Sequence, residues 1–475
     1  MLILILPLVG LLLGYLFYSR LVTRVFIPYK DPTPAISVND GVDYVPMPKW
    51  KNYLIQLLNI AGTGPIFGAL MGAKWGPIVI LWIVFGTILG GAVHDYMAGM
   101  ISVRNNGMSS TGIVTKYMGK VMRYPILILI VFLMIMVSAT FARSASDLLT
   151  AITGVPFMVW LAIILIYFLV SSVLPIDKVI GRMYPIFGIL LLTMAVTVIG
   201  GLILGNYEFP SLTLENLHPT GEEYLPDMFI TVACGAISGF HATQSPMVSR
   251  CIQDEKDGRT VFYGAMVLES VIATIWALAG MTFYGDTAAL ADALGSMGSS
   301  GVVYSISTGV AGLVGGIMAV IGVIICPITS GDTALRAARL MIEEDRQSTD
   351  KSQKGRFVCV GVLLIVVVAL CMLDFTVLWN YFSWLNQMLA CLVLWAATVF
   401  ILVEVKNRWY SLITAGPALF MTLIVSSFIM YSPLGLHLDY WLSIAIGTFI
   451  MIAVGIAYVR LFLYKGKLMA SSEEA

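Results

Sequence analysis

Thirteen apolar runs, each close to the length of a membrane-crossing helix, follow one another along almost the whole chain of 475 residues. A helix needs about 20 mainly apolar residues to cross the hydrocarbon core of a bilayer. Charged residues make up only 11% of the chain, less than half of the roughly 25% usual in soluble proteins. The pattern excludes a soluble enzyme, a nucleic-acid-binding protein and a disordered scaffold, and it predicts an all-α polytopic membrane protein. The runs lie near residues 2–18, 54–71, 75–99, 125–142, 155–174, 184–205, 228–249, 261–283, 310–329, 357–373, 377–402, 411–431 and 441–462.

Lysine and arginine residues alternate between two sets of connecting segments. One set, taken at every second segment, holds 25 of the 27 basic residues, and the other set holds only Lys74 and Arg143. Cytoplasmic loops of membrane proteins are enriched in Lys and Arg. The alternation therefore predicts thirteen crossings, with the N-terminus outside the cell and the C-terminus in the cytoplasm. The first run lacks the basic start and the cleavage site of a signal peptide, so we expect a retained membrane helix.

Two of the runs are interrupted near their middle by glycine and proline together with polar residues. If the N-terminal run at 2–18 is set aside, the interrupted runs are the first and the sixth of those that follow. The first is broken between Asn59 and Pro65, and the sixth is broken between Gly235 and Pro246. Interruptions at corresponding positions of two halves indicate the binding site of a transporter. Because five is an odd number, the second group of five helices enters the membrane from the side opposite to the first. We therefore predict a LeuT-like core of two inverted five-helix repeats.

The two predicted repeats divide the chain into four segments. We expect an extra N-terminal transmembrane helix and a cytoplasmic loop over 1–53, the first repeat over 54–205 and the second repeat over 206–402. Two further transmembrane helices and a short cytoplasmic tail occupy 403–475.

The two interruptions are the predicted substrate site. Unpaired backbone at membrane depth is tolerated only where it lines a cavity or is buried in protein. The N-termini of the half-helices offer N–H groups and a positive dipole end, which suit a carboxylate. Glycine and proline are also common in membrane helices without any such role. The predicted substrate-binding residues are Asn59, Gly62, Thr63, Gly64, Ser238, Gly239, His241, Thr243 and Gln244.

Ionisable residues inside the apolar runs are the predicted proton carriers. Buried charges in membrane segments are costly and usually functional. Glu269 lies near the middle of its run, His94 and Asp95 close an apolar stretch, and His241 lies in the second interruption. A static hydrogen bond between helices would also explain Glu269, and capping or packing at a helix end would explain the His94–Asp95 pair. A divalent metal held by His94, Asp95 and His241 is a further alternative, although this spacing is a weak metal signature.

Hydroxyl and amide side chains form two more candidate groups. Thr329 and Ser330, followed by Asp332, lie at the cytoplasmic end of the eighth core run and form a candidate ion-binding site. In LeuT-like transporters, carbonyl and hydroxyl oxygens of the first and eighth core helices often hold sodium. Hydrogen bonds back to the same helix are the alternative for the two hydroxyls. Asn386 and Gln387, in the tenth core run, could line the cavity or join helices.

Five distinctive stretches are NDGVDYVPMPKW (39–50), IAGTGPIFGALMGAKWGPIVILW (60–82), GGAVHDYMAGMISVRNNGMSS (90–110), CGAISGFHATQSPMVSR (234–250) and PITSGDTALRAARL (327–340). Together they resemble the carbon starvation protein family, CstA. The resemblance implies secondary transporters that import peptides or pyruvate into bacteria across the inner membrane, driven by protons. No cofactor, metal or nucleic acid is expected, and the partners are the small-molecule substrate, protons or sodium ions, and the lipid bilayer.

Other functions remain as alternatives. A sodium-coupled transporter of organic solutes would use the Thr329–Ser330 site. A membrane sensor would bind a nutrient without moving it, but the short loops contain no recognisable signalling module. A membrane enzyme would need a catalytic motif, and the sequence contains no metalloprotease helix, nucleophile elbow or P-loop. An ion channel would need a repeated pore motif, which is also missing.

Overall fold

The computed structural model describes residues 1–30, 32–173, 176–345, 353–373 and 375–473, and the described chain is helical. Beyond Thr287 a long helical stretch is interrupted at Gly298 and Gly312, where φ is positive, and its last part begins at Gly315. The helices are α1 Leu2–Phe26, α2 Lys49–Ile60, α3 Gly64–Trp75, α4 Ile78–Arg104, α5 Ser110–Met118, α6 Lys120–Thr153, α7 Phe157–Val173, α8 Ile176–Leu204, α9 224–231, α10 Gly239–Ser249, α11 Glu255–Tyr284, α12 Gly315–Asp345, α13 Lys354–Cys371, α14 Phe375–Glu404, α15 Arg408–Tyr431 and α16 Tyr440–Lys465.

The predicted apolar runs coincide with these helices. Among the described residues, ten helices are long and apolar enough to cross a membrane, or eleven if the bent pair α2–α3 is one span. The two remaining predicted runs fall on α7, which has 17 residues, and on the broken pair α9 and α10. Of the predicted cytoplasmic segments, residues 31, 175, 346–352 and 474–475 lie outside the described residues. The chain is therefore a multi-pass membrane protein.

Several helices extend well beyond their apolar runs. Helix α6 continues to Thr153, so Arg143 lies inside the helix and not at its end, and its guanidinium donates to the carbonyls of Cys371 and Leu373. Helix α12 continues to Asp345, which places Asp332 inside that helix as well. An apolar window ends at the first charged residue, but a helix continues wherever tertiary partners satisfy that residue. Helix boundaries predicted from apolarity were therefore too early at both positions.

The helix bundle buries polar side chains together with a large apolar core, and its outside is apolar. Helices α4, α6, α11, α12 and α14 supply about half of the buried side chains. Helices α1, α13 and α16 leave large apolar side chains exposed, among them Leu2 (67% exposed), Ile365 (71%) and Phe449 (72%). Contact of such a surface with the hydrocarbon of a bilayer is favourable, whereas its exposure to water would be costly. The interior that results can hold polar groups away from both water and lipid.

Candidate functional site

The first predicted interruption is a sharp bend. Helix α2 ends at Ile60, α3 begins at Gly64, and the two axes differ by 56°. Ala61 leaves the helical conformation, with ψ at +68°, and Pro65 at the start of α3 cannot continue the hydrogen bonding of α2. Asn59 and Thr63 flank the bend and are fully buried. The break therefore follows from the residues that predicted it.

The second interruption, Val232 to Ser238, separates α9 from α10, and helix α14 holds both of its ends. The Asn386 side-chain oxygen accepts hydrogen bonds from the Phe240 N–H (2.6 Å) and the Ser238 hydroxyl (3.1 Å) at the start of α10. The Gln387 side-chain nitrogen donates to the Phe229 carbonyl in α9 at 3.3 Å. The sequence left open whether Asn386 and Gln387 line the cavity or join helices. The structure supports the second alternative.

Helix α4 covers another side of the same break. The Trp82 indole donates to the Val232 carbonyl at 3.1 Å, and the Thr87 hydroxyl donates to the Gly235 carbonyl at 3.3 Å. A Cβ atom added at Gly91 would lie 2.2 Å from the Ala236 carbonyl oxygen, so the two backbones touch there. Helices α4 and α14 thus satisfy backbone groups that the break releases, as a non-helical segment at membrane depth requires.

Three glycines of α3 allow close contact between the two breaks. Gly64, Gly68 and Gly72 are four residues apart and therefore share one face of the helix. Added Cβ atoms would lie 2.2 Å from the Cys234 Cβ, 3.1 Å from the Thr231 carbonyl oxygen and 2.1 Å from the Val232 Cγ2, respectively. This face packs against residues 231–234 of the second break. Glycine at positions 64 and 72 is therefore a packing requirement, and the space at position 68 is tight.

Four predicted proton carriers form one buried chain across α11, α10 and α4. Glu269 Oε2 lies 3.4 Å from His241 Nε2, and His241 Nδ1 lies 2.9 Å from Asp95 Oδ2. Asp95 Oδ1 in turn lies 2.8 Å from His94 Nδ1. All four side chains are completely buried. Carboxylates and imidazoles alternate along the chain, so protons can be exchanged between neighbours.

Capping at a helix end does not explain His94 and Asp95. Helix α4 continues nine residues beyond Asp95 to Arg104, so the pair lies within the helix. The long apolar stretch before His94 made this position look like a helix end. A static hydrogen bond is also a poor description of Glu269, since neither carboxylate oxygen has a regular hydrogen-bond partner among the described residues.

Polar atoms without partners mark the first bend and the side of α10. Both polar atoms of the Asn59 amide, the Thr63 hydroxyl and the Gln244 side-chain oxygen are buried without a hydrogen bond in the described part of the chain. Buried polar atoms normally have partners, so such groups require an explanation. Thr243, by contrast, donates to the Phe240 carbonyl (2.7 Å) and accepts from the Gln244 amide (2.8 Å).

The predicted glycines at the breaks lie against protein. A Cβ atom at Gly62 would be 2.4 Å from the Phe141 ring, and one at Gly239 would be 2.3 Å from the Asn386 carbonyl oxygen. These glycines and Gly64 therefore permit close helix contacts in this structure. Ser238 is likewise engaged, through its bond to Asn386.

The candidate ion-binding residues divide into two groups. The hydroxyls of Thr329 and Ser330 both donate to the Leu58 carbonyl of α2, each at 3.1 Å. Thr329 also bonds back to its own helix, at Ile325 and Cys326. Thr329 thus makes the hydrogen bond back to its own helix, and both hydroxyls tie α12 to α2 next to the first bend.

Asp332 faces away from that pair, toward α7 and α8. Its carboxylate accepts from the Ser171 hydroxyl (2.5 Å) and from the Tyr184 hydroxyl (3.4 Å). The sequence placed Asp332 beside Thr329 and Ser330, but positions three apart on a helix need not contact the same neighbour. Across the described residues, no group of three or more His, Cys, Asp or Glu side chains is arranged to hold a metal ion.

Sequence reasoning missed the glycine face of α3 and the part played by α14. The glycine face could have been recognised from the glycines at every fourth position, 64, 68 and 72, because this spacing allows membrane helices to pack closely. For the second, the adjacent amides of Asn386 and Gln387 were noticed, but nothing local indicated that they reach opposite ends of one break.

The chain matches the family model "Carbon starvation protein CstA" over residues 1–160 and 144–300. An uncharacterized membrane protein of Haemophilus influenzae is 40% identical over 339 residues, which cover 60% of this chain and 91% of that protein. The pyruvate/proton symporter BtsT of Escherichia coli is 28% identical over 332 residues, 55% of this chain and 46% of that transporter. The peptide transporter CstA of Helicobacter pylori is 28% identical over 336 residues, 55% of this chain and 48% of that transporter. The matches thus span about half the length of the two named transporters.

Solved structures show the fold. A manganese transporter of Eremococcus coleocola aligns over 92% of this chain and 99% of its own, with a TM-score of 0.57 and 13% identity. MhsT in complex with L-phenylalanine aligns over 87% of this chain and 99% of its own, with a TM-score of 0.57 and 16% identity. Both are LeuT-fold transporters. The two named relatives and the structural neighbours are transporters and not enzymes.

Proposed function

The chain belongs to the CstA family of carbon starvation proteins, and we propose that it is a secondary active transporter. It imports small carboxylate-bearing nutrients, peptides or pyruvate, across the bacterial inner membrane by alternating access. The names of the relatives support this substrate class, since one is a pyruvate/proton symporter and others are peptide transporters.

The proposed core is a pair of inverted five-helix repeats, 54–205 and 206–402. One helix in segment 1–53 precedes it and two helices in 403–475 follow it, giving thirteen crossings with the N-terminus outside. The alternation of basic residues along the chain supports this orientation. An inverted repeat also explains why the first and sixth core helices, far apart in sequence, contact each other at their breaks. Pro65 Cα lies 3.8 Å from the position of a Cβ on Gly235.

The proposed substrate site lies beside the two breaks. Asn59, Thr63 and the Gln244 side-chain oxygen carry buried polar atoms without partners, and a polar ligand would satisfy them. The remaining predicted contacts lie in or next to the same two breaks; they are Gly62, Gly64, Ser238, Gly239, His241 and Thr243. Ser238 and Gly239 are held by α14 in this structure, so substrate would contact them after α14 has moved.

The proposed proton-coupling group is the chain Glu269–His241–Asp95–His94. If both carboxylates are ionised and one imidazole is protonated, these four side chains together carry a net charge of −1, and one further proton makes the group neutral. Net charge buried within a membrane is costly. Conformations that expose these four side chains to opposite sides of the membrane therefore differ in the number of protons that the side chains bind. This difference would couple substrate movement to the proton gradient.

The single observation that carries the proposal is the contact of His241, in the broken sixth helix, with both Asp95 and Glu269. A moving half-helix thus holds the central member of the proton chain. The test is uptake by purified protein in liposomes with an imposed inward proton gradient. Labelled pyruvate and a labelled dipeptide are supplied in parallel. We expect accumulation of one of them, collapsed by a protonophore.

Glu269→Gln should abolish uptake driven by pH while sparing exchange of substrate across the membrane. Gln keeps the shape of the side chain and loses its proton. Glu215→Gln is the matched control, because Glu215 is exposed in the loop before α9. Loss of both activities, or of neither, contradicts the coupling role of Glu269. Uptake of neither compound by the unmodified protein contradicts the proposed cargo and favours a non-transporting nutrient sensor.

A sodium-coupled transporter is the second candidate, and one observation favours it. The Leu58 carbonyl and the hydroxyls of Thr329 and Ser330 converge between α2 and α12, and they are oxygen ligands of the type that sodium prefers. In this structure they hydrogen-bond to one another. Replacing sodium by choline in the same liposomes separates the candidates, because proton-driven uptake persists in choline and sodium-driven uptake does not.

A further inference from the structure

We propose that a groove between α4, α9 and α15 binds an acyl chain of a membrane phospholipid, and that this chain buttresses the break in the sixth core helix. The groove, called here the α4–α15 groove, has a volume of about 620 Å³. Leu81, Phe85 and Leu89 of α4 form one side, and Leu412, Gly416 and Phe420 of α15 form the other. The proposal does not depend on the identity of the transported substrate.

The groove opens toward lipid. Large apolar side chains on its two sides are exposed, among them Phe85 (57%), Leu89 (45%) and Leu412 (51%). They belong to α4 and α15, which are both long and apolar enough to cross the membrane. The medium next to these side chains is therefore the hydrocarbon of the bilayer and not water.

The groove is unfilled by protein. No atom lies within 4 Å of a Cβ added at Gly416, although this glycine faces the groove. Across the groove, a Cβ at Gly90 would make only van der Waals contact with Ile237 at 3.4 Å and with Pro417 at 3.7 Å. Space of this kind within a membrane is occupied by lipid, because an empty volume forfeits the dispersion contacts of its lining.

The dimensions favour a single slender occupant. From Ile78 to Gly90 the α4 side of the groove is about 18 Å long, at 1.5 Å per residue. This length exceeds half of the roughly 30 Å hydrocarbon core, so it matches one leaflet. A single acyl chain, which lies within one leaflet, fits a groove of this length.

The inner wall of the groove is the second break itself. Ile237, in the non-helical segment, lines the groove together with Trp82. The Trp82 indole donates to the Val232 carbonyl in the same segment. An acyl chain in the groove therefore presses on the residues that hold the break in place.

The test compares lipid retention by purified variants, with dioleoylphosphatidylethanolamine as the probe. Gly416→Leu places a side chain in the groove. Gly361→Leu is the matched control, since Gly361 lies on α13, away from the groove, and likewise has no atom within 4 Å of an added Cβ. By native mass spectrometry, we expect Gly416→Leu to retain one lipid fewer than the unmodified protein and Gly361→Leu to retain the same number. Equal retention by all three overturns the proposal.

A second measurement applies even where Gly416→Leu does not fold. Phospholipid brominated on its acyl chains quenches tryptophan fluorescence at contact distance. We expect Trp82→Phe to remove part of the quenching, and Trp276→Phe, a fully buried indole outside the groove, to leave it unchanged. Unchanged quenching in Trp82→Phe overturns the proposal. A dimer that Gly416→Leu disrupts also overturns it, in favour of a second copy as the occupant.

Discussion

Gly72 lets helix α3 rest on the broken sixth core helix, and its replacement by alanine tests this contact. The new Cβ would lie 2.1 Å from the Val232 Cγ2, 3.1 Å from the Val79 Cγ2 and 3.6 Å from the Val232 Cβ. Removal of the Val232 methyl groups would leave only the Val79 contact tight. We therefore expect Val232→Ala to rescue Gly72→Ala.

The distances set the expected energies. Gly72→Ala overpacks the contact, at a cost of about 1–3 kcal/mol in the free energy of unfolding. Val232→Ala removes two fully buried methyl groups and costs about 2 kcal/mol. Independent effects would add to about 3–5 kcal/mol in the double variant. The methyl group added at position 72 would instead occupy the space that the Val232 methyl groups leave, so the double variant should lose only about 0–2 kcal/mol.

The buried cysteines supply the assay. Of the six cysteines, none of which forms a disulfide in the described chain, five are buried and Cys359 is partly exposed, so a thiol-reactive dye reports unfolding of the purified protein. Denaturation midpoints would be measured for the two single variants and the double variant. Gly91→Ala is the control, because its Cβ would meet the Ala236 carbonyl oxygen at 2.2 Å, and Val232→Ala cannot relieve a clash with backbone.

Additive losses would contradict a contact between the two positions. If the double variant loses the sum of the single losses within about 0.5 kcal/mol, the two positions are energetically independent. Rescue of Gly91→Ala by Val232→Ala would also count against the contact, since the effect would then be general and not a local relief of packing.

The remaining predictions concern α14 and the loop between α8 and α9. Asn386→Leu should lower the free energy of unfolding by about 2–4 kcal/mol, because the buried Phe240 N–H loses its acceptor. Gln387→Leu, which loses one longer bond, should cost about 1 kcal/mol; equal losses in the thiol assay would contradict this. Burial lowers the pKa of His218 below its usual 6.5, and Glu222 nearby offsets only part of that effect. The unfolded chain then binds more protons, so stability falls as the pH falls through 6.5. His218→Gln should therefore lose less stability than the unmodified protein between pH 7.5 and 5.5, and an equal loss would show that His218 does not titrate in this way.

The membrane class, the apolar helices, the two breaks and the ionisable residues inside the apolar runs could all be read from the amino-acid sequence. These features depend on near neighbours in the chain. Apolar length predicts a crossing helix, and glycine and proline with polar residues predict an interruption. The carboxylates and imidazoles stood out because ionisable groups are rare in apolar runs.

Which of these groups meet could be learned only from the tertiary structure. His241 contacts Asp95 across 146 residues of sequence, Thr329 reaches the Leu58 carbonyl across 271, and Asp332 turns instead toward Ser171. Asn386 caps helix α10, which begins 147 residues before it in the sequence. Helix periodicity fixes the face on which a side chain lies, but the neighbour on that face comes from the packing of distant helices. In this protein the packing depends on backbone contacts at glycines, where a methyl group would already be too large.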